Sequence, residues 1–233
     1  MELHGLVDDA VARRRRLSRR TQPGRGLRAC TIVRMADSAI SVRPANEASW
    51  EDLQTVFGVR GAAARCQCQR YKLAPKEAFR NFPVEERADR LRRQTDAGHP
   101  GSGATSGLVA YLDDDPVGWC AVEARPRFTG LLRNNRVPWE GRSEDKADET
   151  VWAVTCLFTR AGFRRRGVSR ALVRAAVGFA RERGARALEG YPIVTKDVIL
   201  EELHVGTESV FADAGLTVVS RPTLRRLVMR IDF

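Results

Sequence analysis

Residues 151–169 read VWAVTCLFTRAGFRRRGVS, an apolar run that leads into a loop with three consecutive arginines. The run over residues 151–158 has no polar alternate face, which predicts a central strand that is covered on both sides. Apolar residues at helical spacing then predict an amphipathic helix over residues 168–183. A strand, a glycine-containing loop and a helix N-terminus form an anion site, because free N–H groups and the helix dipole meet there. We therefore predict a ligand that bears phosphate.

The composition predicts one globular domain without a membrane segment. The chain has 233 residues, of which 43% are hydrophobic and 30% are charged. It contains no apolar run of about 20 residues and no signal-peptide core, so we expect a cytoplasmic protein without a membrane partner. The five cysteines are an odd number, and Cys66 and Cys68 are closer together than zinc ligands usually are. We expect reduced thiols and no metal.

The positive charge is concentrated at the N-terminus. Residues 1–34 hold nine arginines against three acidic residues, so more than half of the net charge of +11 lies there. We expect residues 1–34 to be a disordered basic arm, with an over-long start-site assignment as an alternative, and residues 35–233 to form the folded domain. Nucleic acid is not expected as a partner beyond this arm.

The remaining pattern predicts a mixed α/β (α+β) sheet of about seven strands flanked by about four helices. The predicted strands are 39–43, 107–112, 116–123, 151–158, 185–191, 217–220 and 226–233. The predicted helices are 47–59, 84–95, 168–183 and 206–214. Residues 61–75 are assigned to a loop or short helix, and a further short helix is expected over residues 129–134.

The arginine loop resembles a known family signature. Arg164-x-x-Gly167-x-Ser169 is similar to the Arg/Gln-x-x-Gly-x-Gly/Ala motif with which the GNAT superfamily of N-acetyltransferases holds the pyrophosphate of acetyl-CoA. Residues 211–216 (FADAGL) are similar to the helix-to-strand turn of the same family. The resemblance covers residues 38–233 and implies a splayed central sheet with acetyl-CoA as co-substrate. The P-loop and dinucleotide-binding motifs are absent from the sequence.

The resemblance also implies which residues hold acetyl-CoA. Backbone N–H groups of the loop and the Ser169 hydroxyl would face phosphate oxygens, while the end of the preceding strand would pair with the pantetheine amides and supply an oxyanion N–H near Phe158. The predicted cofactor-binding residues are Leu157, Phe158, Thr159, Arg164, Arg165, Arg166, Gly167, Val168, Ser169 and Arg170.

The proton-transfer groups depart from the family pattern. Ala153 stands where some members have Glu, and Phe211 stands where many have Tyr. The best base candidate is Glu189, for which an ion pair or loop cap is an equal alternative, and the acid candidate is Tyr191, for which core packing is the alternative. Weaker base candidates are Glu123 and Glu149.

The acceptor site implied by the resemblance includes cysteines and aromatic residues, each of which could equally be a core residue. These are Cys66, Cys68, Tyr71, Trp119 and Trp152.

The functional prediction is an acyl-CoA-dependent N-acyltransferase. It would transfer acetyl to a primary amine of a small molecule or polypeptide by direct attack in a ternary complex. One alternative is a non-catalytic acetyl-CoA sensor of the same fold, which the absence of the family's Glu and Tyr supports. Another is a nucleic-acid-associated protein that uses the arm. A homodimer is a further possibility that the sequence leaves undecided.

Overall fold

A computed structural model describes residues 31–35, 38–133, 136–194 and 197–233. The predicted mixed α/β fold is confirmed, with eight strands in one sheet within these residues. The strands are β1 (Thr31–Met35), β2 (Ser38–Pro44), β3 (Leu108–Leu112), β4 (Asp115–Ala124), β5 (Val151–Thr159), β6 (Ala187–Gly190), β7 (Thr217–Thr223) and β8 (Arg226–Asp232). Their spatial order is β1-β2-β3-β4-β5-β6-β8-β7.

Six α-helices connect these strands in the described part of the chain. They are α1 (Trp50–Phe57), α2 (Gly61–Cys66), α3 (Val84–Thr95), α4 (Thr129–Leu132), α5 (Val168–Glu182) and α6 (Glu208–Ala212). Short 3₁₀ helices occupy Ala45–Glu47, Phe79–Asn81, Arg125–Arg127 and Leu200–Val205. The predicted helix 84–95 has the observed bounds, and the others end within a few residues of their predicted limits.

The first strand begins before the predicted start of the domain at residue 35. Residues 31–34 belong to β1, which pairs antiparallel with β2, Thr31 lying opposite Val42. Residues 1–30 of the predicted arm lie outside the described residues.

The sheet has a hydrophobic core on each face. Along β3 the side chains alternate between the two cores, so that Leu108 and Ala110 pack with α5 whereas Val109 and Tyr111 pack with α1. The same arrangement buries β5 on both faces for most of its length, which is why its sequence is almost uninterruptedly apolar.

Strands β5 and β6 separate at one end, and this separation positions the candidate site. Their parallel pairing runs from Val151 opposite Ala187 to Val154 opposite Gly190, where β6 ends. Strand β5 continues to Thr159 with β4 as its partner on the other side. The second edge of residues 155–159 therefore has no strand partner in the described part of the chain, and β5 is splayed as predicted.

Candidate active site

The arginine loop joins the open end of β5 to the start of α5. Gly167 precedes the helix with φ +84°, and no side chain caps this helix N-terminus in the described structure. The first helical hydrogen bond runs from the Ala171 N–H to the Gly167 carbonyl, so the N–H groups of residues 168–170 point out of the first turn. The Thr159 and Ser169 hydroxyls lie 3.3 Å apart and join strand to helix.

The loop side chains give this end of the molecule a strong positive charge. Arg164, Arg165 and Arg166 are exposed, and none of them forms an ion pair with the residues that the structure describes. The Arg166 guanidinium lies 5.5 Å from the ring centre of Phe163. Arg170 instead pairs with Asp213 after α6, which leaves its backbone N–H for an anion. The predicted loop residues are thus brought together around one helix N-terminus.

The peptide groups at the open edge belong to Leu157 and Thr159. The Arg160 N–H donates to the Val117 carbonyl at 2.9 Å, on the β4 side. Because peptide groups alternate sides along a strand, Phe158 also faces β4, where it lies opposite Trp119. An oxyanion N–H is predicted near Phe158; the peptide of Phe158 itself faces β4, and those of its two neighbours face the open edge.

Phe211 lies on the β6 side of the separation. A Cβ atom added to Gly190 would lie 2.2 Å from its ring, and one added to Gly206 would lie 2.7 Å from it. The ring is fully buried and carries no hydroxyl. Ala153 is equally buried, so neither of the two positions noted in the sequence supplies a proton-transfer group.

Glu189 is placed where it cannot act as a base. Its side chain is 0% exposed and is bound by three guanidinium groups, those of Arg125 at 3.2 Å, Arg230 at 2.9 Å and Arg142. Burial alone would raise the pKa of Glu189, but the hydrogen bond and charge of Arg142, with the charge of Arg125, hold it below its ordinary value. The sequence prediction is wrong on this residue, and its ion-pair alternative describes what is found.

Tyr191 belongs to the same buried cluster. Its hydroxyl donates to the Glu189 carboxylate at 3.0 Å. Burial raises the pKa of Tyr191 well above its ordinary value, and the charge of Glu189 raises it further. Since the residue is 2% exposed, the assignment of Tyr191 as the acid is also corrected to a structural role. The weaker candidates Glu123 and Glu149 pair with Lys72 and Arg127.

Of the predicted acceptor aromatics, Trp119 is a core residue and Trp152 is half-buried. Trp152 packs edge-on against Phe179 of α5, 5.7 Å between ring centres, on the face opposite α1. Trp119 is 1% exposed in the core under α1. The core alternative applies to Trp119, whereas Trp152 packs on the other hydrophobic layer and is also part of a cavity lining with Glu123 and Glu149.

Cys68 makes polar contacts with two residues of the sheet, Trp119 and Cys156. The Trp119 indole N–H donates to the Cys68 sulfur at 3.1 Å. A hydrogen bond with Cys156 on β5 lowers the pKa of Cys68 against the opposing effect of burial, and correspondingly raises that of Cys156. The half-buried Cys66 lies at the end of α2, and burial raises its pKa. No group of His, Cys, Asp and Glu in the described residues could hold a metal ion.

The structure brings one residue to the site that the sequence did not suggest as a base. His204 lies in the 3₁₀ helix Leu200–Val205, and the following Gly206 packs on Leu157. Its Nδ1 lies 2.8 Å from the Glu201 carbonyl, which makes Nδ1 the donor and Nε2 the acceptor. Nε2 is buried and has no partner among the described residues. The ring of Tyr71, a predicted acceptor residue, lies 6.4 Å from that of His204.

Arg226, at the start of β8, is close enough for its charge to lower the pKa of His204. It donates to the Tyr191 carbonyl at 2.8 Å, just beyond the end of β6, while its Nε is buried without a partner in the described structure. Sequence patterns gave no reason to place either residue at this site, because both depend on the chain between β6 and β8 folding back on the open end of β5.

None of the helices in the described ranges is both long and apolar enough for a membrane span.

Comparison with solved structures finds many similar folds at low sequence identity. The yncA protein of Salmonella typhimurium, solved with its cofactor acetyl-CoA, aligns with a TM-score of 0.48 and 13% identity over 83% of this chain and 93% of that one. The PaiA N-acetyltransferase of Thermoplasma acidophilum, solved with coenzyme A, gives 0.44 and 14% over 83% and 99%. The GNAT domain of S. lividans PAT gives 0.48 and 16% over 88% and 97%.

Comparison with curated proteins gives no match. The family model of the acetyltransferase (GNAT) family matches residues 70–194, more than half of the sequence. This segment includes the hairpin β3–β4, the splayed strand β5 and the arginine loop. The chain therefore belongs to the GNAT family of acetyltransferases.

Proposed function

We propose that the protein is an acetyl-CoA-dependent N-acetyltransferase that transfers acetyl to a primary amine by direct attack in a ternary complex. One observation carries this proposal. The open edge of β5 leads through a loop with three exposed arginines directly to an uncapped helix N-terminus. A ligand with a diphosphate at one end and amide groups along its length matches both parts.

Each part of the site has a separate task in this proposal. The N–H groups of residues 168–170 bind phosphate oxygens, and Arg164–Arg166 add charge. The peptide groups of Leu157 and Thr159 hydrogen-bond the pantetheine chain, and one of these N–H groups stabilises the oxyanion that develops on the carbonyl under attack. The site needs no group from Glu189, because the buried cluster around Glu189 is structural.

Thermal unfolding with and without ligand tests the binding part of the proposal. We expect acetyl-CoA and coenzyme A to raise the melting temperature strongly and adenosine diphosphate to raise it less, since the diphosphate lacks the pantetheine contacts. At a ligand concentration 100 times Kd the stabilisation is about 2.7 kcal/mol. Absence of a shift with all three ligands would overturn the proposal.

A non-catalytic acetyl-CoA sensor is the second candidate. The observation that favours it is the absence of proton-transfer groups at Ala153 and Phe211, both fully buried. Thiol release from acetyl-CoA in the presence of an amine panel separates the two. Turnover above the rate without amine supports the enzyme, and tight acetyl-CoA binding without turnover on any amine supports the sensor.

A further inference from the structure

Two buried polar atoms of opposite character are unsatisfied at the open end of the splayed sheet. The Nε2 of His204 is an acceptor without a donor, and the Nε–H of Arg226 is a donor without an acceptor, as far as the described residues extend. Leaving a buried polar group unpaired costs about 1–3 kcal/mol. A ligand that supplies both missing partners would recover this free energy.

The two residues are held next to each other by the same short segment. Ile193 bridges to Thr207 on one side and to Arg226 on the other. The 3₁₀ helix that carries His204 is also joined to the start of β8 by the ion pair between Glu202 and Arg225, 2.8 Å apart. Because Gly206 packs on Leu157, this unit lies against the open edge of β5.

The chemistry of the two atoms defines a complementary ligand. An amine N–H can donate to the Nε2 of His204, and an anionic group can accept from the Nε–H of Arg226. The exposed guanidinium of Arg70, on the loop after α2, adds positive charge near His204.

We propose that the acceptor is an amine that also bears an anionic group, carboxylate or phosphate, with His204 as the proton acceptor and Arg226 as the residue that binds the anion. This inference rests on the proposed acetyltransferase function and names its substrate class.

The transfer step balances with these groups. The amine nitrogen forms a bond to the acetyl carbon, the carbon–sulfur bond breaks, and the thiolate leaves with that electron pair. The proton lost by the amine goes to the Nε2 of His204, and solvent protonates the thiolate. His204 then returns its proton to solvent.

The surroundings of His204 favour its neutral form, the form that can accept a proton. Burial lowers the pKa of His204, the hydrogen bond to the Glu201 carbonyl opposes this, and the charges of Arg70 and Arg226 lower it further. Glu202, on the same 3₁₀ helix, acts in the opposite direction. Activity should fall as the pH drops through this pKa, which lies below the ordinary value of about 6.5.

The first experiment compares matched acceptors on the wild-type protein. A series of ω-amino carboxylates, their carboxamides and the corresponding aminoalkyl phosphates is tested for thiol release from acetyl-CoA. We expect kcat/KM to be about 10- to 100-fold higher for one of the anionic series than for the carboxamides, the size of a charge-assisted hydrogen bond. The better of the two anionic series identifies the anion.

The second experiment changes the two residues separately. Arg226→Gln should raise KM for the anionic amines about 10- to 100-fold. It should leave KM for the carboxamides unchanged, and for all acceptors it should move the acid limb of the pH profile to higher pH, because a positive charge near His204 is lost. Arg226→Lys should restore part of the affinity, and Arg221→Gln, an exposed arginine on β7, is the matched control that should change neither value.

The histidine has its own readout. His204→Gln should lower kcat by about 10²- to 10⁴-fold and abolish the acid limb, which a purely structural role would leave in place.

Equal kcat/KM for anionic and neutral amines, or an unchanged KM in Arg226→Gln, would overturn the proposed substrate class while leaving the proposed acetyltransferase activity intact.

Thermal shifts of the coenzyme A complex provide a readout without turnover. Amino carboxylates or aminoalkyl phosphates should stabilise this complex in wild type and not in Arg226→Gln, and equal shifts in both proteins would reject the proposal. Failure of acetyl-CoA itself to bind would instead reject the proposed function.

Discussion

At the scale of single residues, the carboxylate of Glu189 organises the region where β4, β6 and β8 meet the long β4–β5 connection. It is fully buried among Arg125, Arg142 and Arg230. Glu189→Gln should destabilise the fold by about 3–5 kcal/mol, since removing one partner leaves buried charges uncompensated. Urea unfolding at neutral pH measures the effect. Glu149→Gln, at an exposed ion pair, should cost less than about 1 kcal/mol.

The same carboxylate predicts how stability depends on pH. The pKa of Glu189 is lower in the folded protein than in the unfolded chain, so its contribution is fully present above the unfolded value of about 4.3 and is lost as the pH falls through the folded value. The stability difference between wild type and Glu189→Gln should therefore shrink below about pH 4. A difference that stays constant down to the acid transition would contradict this role.

The roles of individual side chains were the part that the sequence predicted least well. Glu189 has the same appearance in sequence whether it faces a cleft or a buried ion cluster, because its three arginine partners are 41 to 64 residues away along the chain. That Phe211 and Ala153 carry no proton-transfer group follows from the residue types alone. His204 becomes a candidate only through its tautomer and its buried Nε2.

At the scale of elements, the arginine loop depends on the backbone conformation at Gly167. Gly167→Ala places a side chain at φ +84° and should reduce acetyl-CoA affinity more than it reduces stability, because Gly167 directly precedes the N–H groups that the proposal assigns to the phosphates. Gly162→Ala is the matched control, since Gly162 has φ +89° in the same loop and open space around it. Both variants should lose about 1 kcal/mol of stability, and only Gly167→Ala should weaken binding in a calorimetric titration.

The contact between β6 and α6 leads to a second prediction at this scale. Gly190→Ala should destabilise the protein by about 1–3 kcal/mol, because the new methyl group would overlap the Phe211 ring. Gly178→Ala, in the open middle of α5, should be neutral or stabilising by up to about 1 kcal/mol. Chemical denaturation of both variants measures these values, and equal stabilities would show that the ring moves freely.

Elements with a strong local pattern were predicted closely, and those fixed by distant contacts were not. The period of apolar residues located α3 and α5, and the continuous apolar run located β5. Strand β6 is shorter than predicted, since its pairing with β5 ends where the two strands separate. No local signal marks that point.

At the scale of the whole molecule, β1 extends the sheet beyond the predicted domain start. Removing residues 1–37 should lower the melting temperature relative to removing residues 1–30, because the longer deletion takes away the strand that pairs with β2. Each lost inter-strand hydrogen bond is worth about 0.5–1.5 kcal/mol. The shorter deletion should match the full chain, and this result would support the sequence prediction that the arm is not part of the folded domain. Equal melting temperatures for both deletions would place the domain start after β1.

Phe211 also constrains how this sequence can change. Its ring fits against the backbone at both Gly190 and Gly206, so a substituent at either glycine must be matched by a smaller side chain at position 211. The three positions should therefore covary among related sequences, although they lie in different segments of the chain. A homologue with a tyrosine at position 211 would need the β6 end or the segment at 206 to be displaced to make room for the hydroxyl. Covariation among these three positions would thus show how the gap between β5 and β6 is shaped in different members of the family.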